Sequence, residues 1–247
     1  GDVDLHALQL GRALLGAGLF DDGLNELSFA ERMWGPLPSI DATRAWIYRQ
    51  KGRSEKGTDQ FNLYRGSINA MKRAYPQYLT AGGEDLPKEV LTSIFPIEYW
   101  ALIQKHSTAR NLDPYLVAAL MAQESTFVPD IVSYAKAVGL MQLLPSTARM
   151  YARRLKIPYS AALLRNPEAN IRMGTTYLAA LVSEFGDMHL ALAGYNAGEG
   201  AVRRWVAERP SDIDPEEFID DIPYPQTQGY VKKVLGTAED YRRLYPK

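Results

Sequence analysis

The stretch Asn111–Gln142, NLDPYLVAALMAQESTFVPDIVSYAKAVGLMQ, decides how the rest of the chain is read. It predicts a helix opening at Asp113, a good N-cap, with Pro114 at the first helical position, where no amide hydrogen is needed. The run to Ser125 is rich in Leu, Ala and Met, with nothing after Pro114 to break a helix. Val117, Leu120 and Met121 stand seven, four and three residues before Glu124, which puts Glu124 on the apolar stripe. A carboxylate on such a stripe is either paired or functional.

Glu124 also falls in the last turn, just before Phe127 and Pro129. The negative end of the helix dipole and the loss of water both disfavour the ionised form, so its pKa is expected to be raised. A carboxylic acid kept protonated near neutral pH is what a general acid in glycoside cleavage requires. A buried glutamate satisfied by an arginine or a backbone amide is the alternative reading of this helix taken alone.

Composition narrows the setting. The 247 residues suffice for one large domain or two small ones, and 46% hydrophobic with 23% charged residues is ordinary globular usage. The net charge of −1, from 28 basic and 29 acidic residues, gives no basic footprint for nucleic acid. With no cysteine there are no disulfides or thiolate metal sites, and His6, His106 and His189 are too scattered to form a ligand cluster. No run approaches the roughly 18 apolar residues of a membrane span.

Outward from the central stretch, the periodicity predicts helices almost everywhere. Residues 4–33 read as a helical hairpin: Leu8, Leu10, Leu14 and Leu15 form one apolar set, Gly16–Gly18 breaks it, and Asp21 or Asp22 caps a second helix ending near Gly35-Pro36. Residues 41–80 continue helically across a charged loop at Lys51–Gly57, and Thr80–Pro87 is the best linker. Downstream, helices are predicted at Pro145–Leu155, from Asn166-Pro167 to about Phe185, from Asp187 into the glycines Gly198 and Gly200, from Asp214-Pro215, and over Gln226–Tyr245. Only Phe127–Ala137 leaves room for a minor β turn.

Five short pieces follow one another in a telling order: QES at Gln123–Ser125, GLMQ at Gly139–Gln142, NIRMGTTYL at Asn170–Leu178, GYNAGEGAVRRW at Gly194–Trp205 and FIDDIPYPQTQGYVKKV at Phe218–Val234. Together they resemble the catalytic domain of the soluble lytic transglycosylases of bacterial cell walls, over roughly Phe95 to Tyr245. The resemblance implies an all-α chain. A lysozyme-like helical catalytic domain at residues 88–247 would be preceded by a helical, superhelix-type segment at residues 1–80.

The same resemblance implies the chemistry. Glu124 would be the single acid and base, cleaving the bond between N-acetylmuramic acid and N-acetylglucosamine with formation of a 1,6-anhydromuramyl end, without metal or cofactor. Ser133 matches a serine that hydrogen-bonds the catalytic carboxyl, and Tyr195, beside Asn196, matches a tyrosine directed at it. Gly139 allows close backbone approach to a ligand, Met141 follows in the same motif, and the Gln142 amide can meet an N-acetyl group or hydroxyl. Gln226 and Gln228 flank Thr227 where the family usually carries a Glu and an Arg, so the groove would keep its polarity with less charge. The implied partner is peptidoglycan and the implied state a monomer. The implied place is the periplasm or cell envelope, with any export leader trimmed ahead of Gly1. A goose-type lysozyme-like hydrolase and a non-catalytic peptidoglycan-binding scaffold remain the alternatives.

Overall fold

The structure is a computed structural model that describes residues 13, 16, 18–80, 82–208 and 222–245. The chain divides into two compact units, Gly1–Pro96 and Ile97–Lys247. The division falls later than the Thr80–Pro87 linker, because the helix at Lys88–Ile94 packs on the helix Gly57–Ala74 of the first unit.

The first unit consists, among its described residues, of α1 (Phe20–Trp34), α2 (Pro38–Gly52), α3 (Gly57–Ala74) and the short α4 (Lys88–Ile94). The predicted apolar set Leu8, Leu10, Leu14 and Leu15 lies outside the described residues. Asp21 and Asp22 do not cap α1; they sit in its first turn, after an N-cap at Leu19 that makes no side-chain bond. There they face the positive end of the helix dipole. Leu27, Ala30, Ile40 and Ile47 form the core between α1 and α2. A buried charge ties the helices together: Asp41 accepts from Arg44 at 3.2 Å and from Arg73 at 2.7 Å, while Arg44 also reaches Glu31 at 2.7 Å. Two guanidiniums compensate the buried carboxylate, which is the condition under which a buried charge is tolerated.

The second unit is built around α6 (Pro114–Ser125), whose start is capped as the sequence predicts, Asp113 accepting from Tyr115 N at 3.0 Å. Every residue from Leu116 to Met121 is at most 3% exposed, so the helix is buried all round rather than along one stripe. The reason is its position: α5 (Trp100–Thr108) and α11 (Pro225–Leu244) both pack against it. α11 runs antiparallel to α6. Tyr230, near its start, reaches Glu124, whereas at its other end Arg242 pairs with Asp113 and the Tyr115 hydroxyl donates to Tyr245 O.

Between α6 and α7 (Pro145–Arg154) the chain makes two successive tight reversals. Antiparallel bridges Val132↔Val138 and Val138↔Leu143 are the β structure found among the described residues. Four residues of this segment other than glycine have left-handed backbone: Thr126, Phe127, Lys136 and Gln142.

The 3₁₀ turn Ala161–Arg165 leads to α8 (Pro167–Phe185), capped by Asn166 and terminated at Gly186 with φ 68°. Asp187 caps α9 (Met188–Ala197). Sequence reading ran this helix into Gly198 and Gly200. The helix stops at Gly198, φ 86°, and Gly200 lies within a separate α10 (Glu199–Ala207). The predicted helix start at Asp214-Pro215 lies outside the described residues.

Two positions in the double reversal should respond to substitution with opposite sign. Lys136 has φ 66°, which strains a residue bearing a Cβ by about 1–2 kcal/mol. Lys136→Gly is therefore expected to stabilise by about 0.5–1 kcal/mol once glycine's extra unfolded-chain entropy is subtracted. Gly139 has φ 86°, and a Cβ there would strike Asn170 Nδ2 and Leu164 O. Gly139→Ala should cost more than about 3 kcal/mol, strain and collision together. Urea unfolding of the two variants measures both.

Candidate active site

Glu124 is half-buried at the C-terminal end of α6, and its Oε1 accepts a 2.7 Å hydrogen bond from the Tyr230 hydroxyl. Burial raises its pKa from 4.5 to about 7, and the Tyr230 bond opposes the rise by favouring the carboxylate. No arginine or lysine compensates it among the described residues, so the paired-glutamate reading does not hold there. The carboxyl is poised to be an acid near neutral pH and, once its proton is given, a base.

The GLMQ turn beside it is held by buried polar side chains from three helices. Ser125 Oγ donates to Leu140 O at 2.7 Å. From α8, Asn170 takes Met141 N on its Oδ1 at 2.8 Å and donates through Nδ2 to Val138 O at 3.1 Å and Leu164 O at 2.8 Å. From α9, the Tyr195 hydroxyl donates to Met141 O at 2.7 Å.

Tyr195 thus meets Glu124 differently from the expectation. It is near enough for the Glu124 charge to push its hydroxyl pKa further up, second to burial, but its hydrogen bond goes to the backbone of Met141. Tyr230 makes the direct bond instead. Tyr230 lies within the motif FIDDIPYPQTQGYVKKV, which by itself assigns it no role. Its signal was its place on the buried stripe Thr227, Tyr230, Val231, Val234 of α11, where a phenol needs a polar partner.

Ser133 also departs from its expected role. Its Oγ accepts from Ala137 N at 3.0 Å, closing the first tight reversal, and the bond to the carboxyl that the resemblance implied is not formed. Met141 is fully buried, its side chain against Gly174, so its contribution is the backbone carbonyl and amide. Gly139 is likewise buried, under Asn170.

Gln142 is half-buried and its amide nitrogen donates to Gly139 O at 2.9 Å and Ile131 O at 3.3 Å, which directs its remaining polarity to an acceptor oxygen. Asn196 is exposed, and its Oδ1 is fixed by Thr227 Oγ1 at 2.9 Å. Gln226 is exposed one residue earlier, in the first turn of α11. Three tyrosine rings line up behind the site: Tyr151 and Tyr177 centroids are 5.4 Å apart, and Tyr177 and Tyr195 are 5.0 Å apart. Of the three, Tyr195 is the one shown close enough to Glu124 to feel its charge.

The described residues contain no cluster of three or more His, Asp or Glu able to hold a metal ion. No second acidic side chain acts on Glu124 among them.

The sequence pattern that defines the transglycosylase SLT domain matches residues 101–217. These residues therefore carry a transglycosylase SLT domain, and the chain is similar to the soluble lytic transglycosylases. It is 34% identical over 207 residues to the soluble lytic murein transglycosylase of Escherichia coli (strain K12), a match that covers 83% of this chain and 32% of that protein. With the corresponding protein of Salmonella typhimurium it shares 36% over 206 residues, covering 82% of this chain and 31% of that one. The chain thus spans about a third of the length of these relatives.

Among solved structures, the 70 kDa soluble lytic transglycosylase of Escherichia coli matches with a TM-score of 0.68 and 28% identity, over 96% of this chain and 35% of that one. A Pseudomonas aeruginosa lytic transglycosylase, described as an inactive Glu-to-Gln mutant, matches with a TM-score of 0.71 and 28% identity, over 96% of this chain and 37% of that one. The all-α architecture is therefore the lysozyme-like one of these enzymes.

A raised carboxyl pKa has a thermodynamic consequence. Because the folded value, about 7, exceeds the unfolded 4.5, the fold is favoured by the protonated carboxyl. That contribution is complete below about pH 4.5 and is lost as pH rises through about 7, at up to about 3 kcal/mol. Glu124→Gln should then be more stable than the parent by up to this amount at about pH 8, and the gain should vanish near pH 4. Denaturant unfolding across that range measures it. Tyr230→Phe removes the bond that favours the carboxylate, so the Glu124 titration, followed by carboxyl ¹³C NMR, should move above its present midpoint.

Proposed function

We propose that the chain is a peptidoglycan lytic transglycosylase acting in the cell envelope, in the periplasm, with Ile97–Lys247 as its catalytic domain. On this reading the helices of Gly1–Pro96 form a separate, superhelix-type unit ahead of that domain. The observation that carries the reading is the water-poor carboxyl of Glu124, with a pKa of about 7 and no second acid acting on it among the described residues. A two-carboxylate glycosidase holds its second Asp or Glu about 5–10 Å from the first. The relatives' names, and the Glu-to-Gln substitution that accompanies inactivity in the Pseudomonas aeruginosa structure, support the same reading.

Protonated Glu124 gives its proton to the glycosidic oxygen between N-acetylmuramic acid and N-acetylglucosamine, and the bond from that oxygen to the muramyl C1 breaks. The muramyl 6-hydroxyl oxygen attacks C1 and passes its proton to the Glu124 carboxylate. The carboxyl is thereby restored, no water is consumed, and the product is a 1,6-anhydro ring. Tyr230 holds the carboxyl in place and steadies its anionic form between the two transfers.

Gln142 through its free oxygen, Asn196 and Gln226 are the groups that meet sugar hydroxyls and N-acetyl groups, and Ser133 shapes the loop at the edge. Gly139 and Met141 act from beneath by fixing the backbone of the turn. The enzyme works as a monomer, with no cofactor.

Glu124→Gln should lower turnover of purified peptidoglycan by at least about 10²–10⁴ while keeping the circular dichroism of the parent. Mass analysis of the parent's products should find muramyl ends lighter by one water than hydrolysis products. Reducing muramyl ends would mark a lysozyme-like hydrolase, and no products at all a binding scaffold.

A further inference from the structure

A second cavity, of about 520 Å³, opens in the Ile97–Lys247 unit on the side of α8 turned away from the GLMQ turn. Glu168, Ala169 and Arg172 line it, whereas Asn170 and Gly174 of the same helix touch Val138 and Met141. Lys105, His106 and Arg110, from α5 and the turn after it, form the opposite wall. Its size is in the range of small-ligand sites.

The charges in this cavity are unbalanced. Arg110 is fixed by Nε donating to Thr176 Oγ1 at 2.7 Å and Nη1 donating to His106 O at 2.9 Å. Arg172 is half-buried; its carbonyl accepts from Thr175 and Thr176, but its guanidinium has no ion pair or hydrogen bond among the described residues. The two guanidiniums are close enough for Arg172 to depress the Arg110 pKa, second to burial. The one acid lining the cavity, Glu168, is engaged by Lys105 at 2.6 Å. Three cations therefore face one carboxylate.

Buried in the same wall is an unsatisfied polar atom. His106 is 6% exposed, and its Nε2 has no hydrogen-bond partner. Glu168 Oε1 lies 3.4 Å away, near enough to favour the charged imidazole against burial but too poorly aligned to complete a hydrogen bond to Nε2. A buried imidazole nitrogen left unpaired costs about 1–3 kcal/mol unless something else completes it. An anion seated between Arg110 and Arg172 would accept from Nε2–H and neutralise the guanidiniums together, the bidentate geometry for which arginine is suited.

We propose that this cavity is a second binding site, separate from Glu124, for a small oxyanion: the carboxylates of a short acidic peptide or inorganic phosphate. Arg172 and Arg110 supply the charge, and His106 supplies a directed donor from the wall opposite α8. Glu168 acts as a built-in competitor that an incoming anion must displace from the field.

The test uses the imidazole ¹⁵N signals, since the chain has three histidines. The protein is titrated at constant ionic strength with sodium phosphate and, separately, with the dipeptide Ala-Glu. The expected result is a saturable shift of the His106 signals, with those of His189 unmoved, at millimolar dissociation constants. Arg172→Gln should weaken binding by about tenfold, and Glu168→Gln, which removes the competitor, should tighten it about threefold. Both side chains reach solvent, so neither change threatens the fold. A response to phosphate alone identifies a free phosphate site, and a response to Ala-Glu alone a peptide carboxylate site. No saturable His106 shift with either probe up to about 50 mM overturns the proposal. So does binding that is indifferent to Arg172→Gln.

Discussion

The amide of Asn170 is the constraint on which the site depends. It is fully buried and spends three hydrogen bonds on backbone groups of the two segments that meet there, Val138–Met141 and Leu164. The turn pairs Val138 with Leu143 and Gln142 N with Gly139 O, and the Met141 amide at its tip is left for a side chain to accept. An amide side chain supplies one acceptor and two donor hydrogens, whereas a hydroxyl has one hydrogen to give and an ionised carboxylate none. Close approach then follows, and Gly139 and Gly174 are the positions where the lack of a side chain lets Asn170 and Met141 come in.

Around that turn, the raised pKa of Glu124 comes from what surrounds it more than from what touches it. Glu124 stands at the end of a helix buried on every side, with a tyrosine hydroxyl as its hydrogen-bond partner. A phenol satisfies the carboxyl without neutralising it, so burial still wins and the pKa stays near 7. A lysine or arginine in place of Tyr230 would have held the group ionised at neutral pH. Tyr195 shares these water-poor surroundings, and its own hydroxyl is pushed up by burial and by the Glu124 charge.

α8 has two separate duties. Its inner face, with Asn170, Met173 and Gly174, fixes the GLMQ turn and the core, while its outer face places Glu168 and Arg172 in the cavity beside His106 and Arg110. The 3.6-residue period separates these faces by one or two positions in sequence. Changes on the outer face can therefore be made without touching the turn that positions the acid.

What the sequence by itself determined was local and periodic. The Asp113-Pro114 and Asn166-Pro167 starts, the Gly186 stop and the Asp187 cap were legible because each satisfies helix-end peptide groups within a few residues. Glu124 was legible as well, since a carboxylate amid a Leu- and Ala-rich run contradicts its surroundings, and the ordered motifs carried the family. Tertiary structure alone decided who holds the acid. Tyr230 is 106 residues from Glu124 along the chain, and only the antiparallel packing of α6 on α11 brings its hydroxyl there. The same holds for Asn170 and for Tyr195, whose hydroxyls and amides could have met the carboxyl or the backbone with equal chemistry. Ser133 shows why motif position does not fix a bond: a hydroxyl takes the nearest unsatisfied group, and the tight reversal offers it the Ala137 amide. Side-chain hydrogen bonds between distant segments depend on ångström-scale placement, which the period of a helix does not encode.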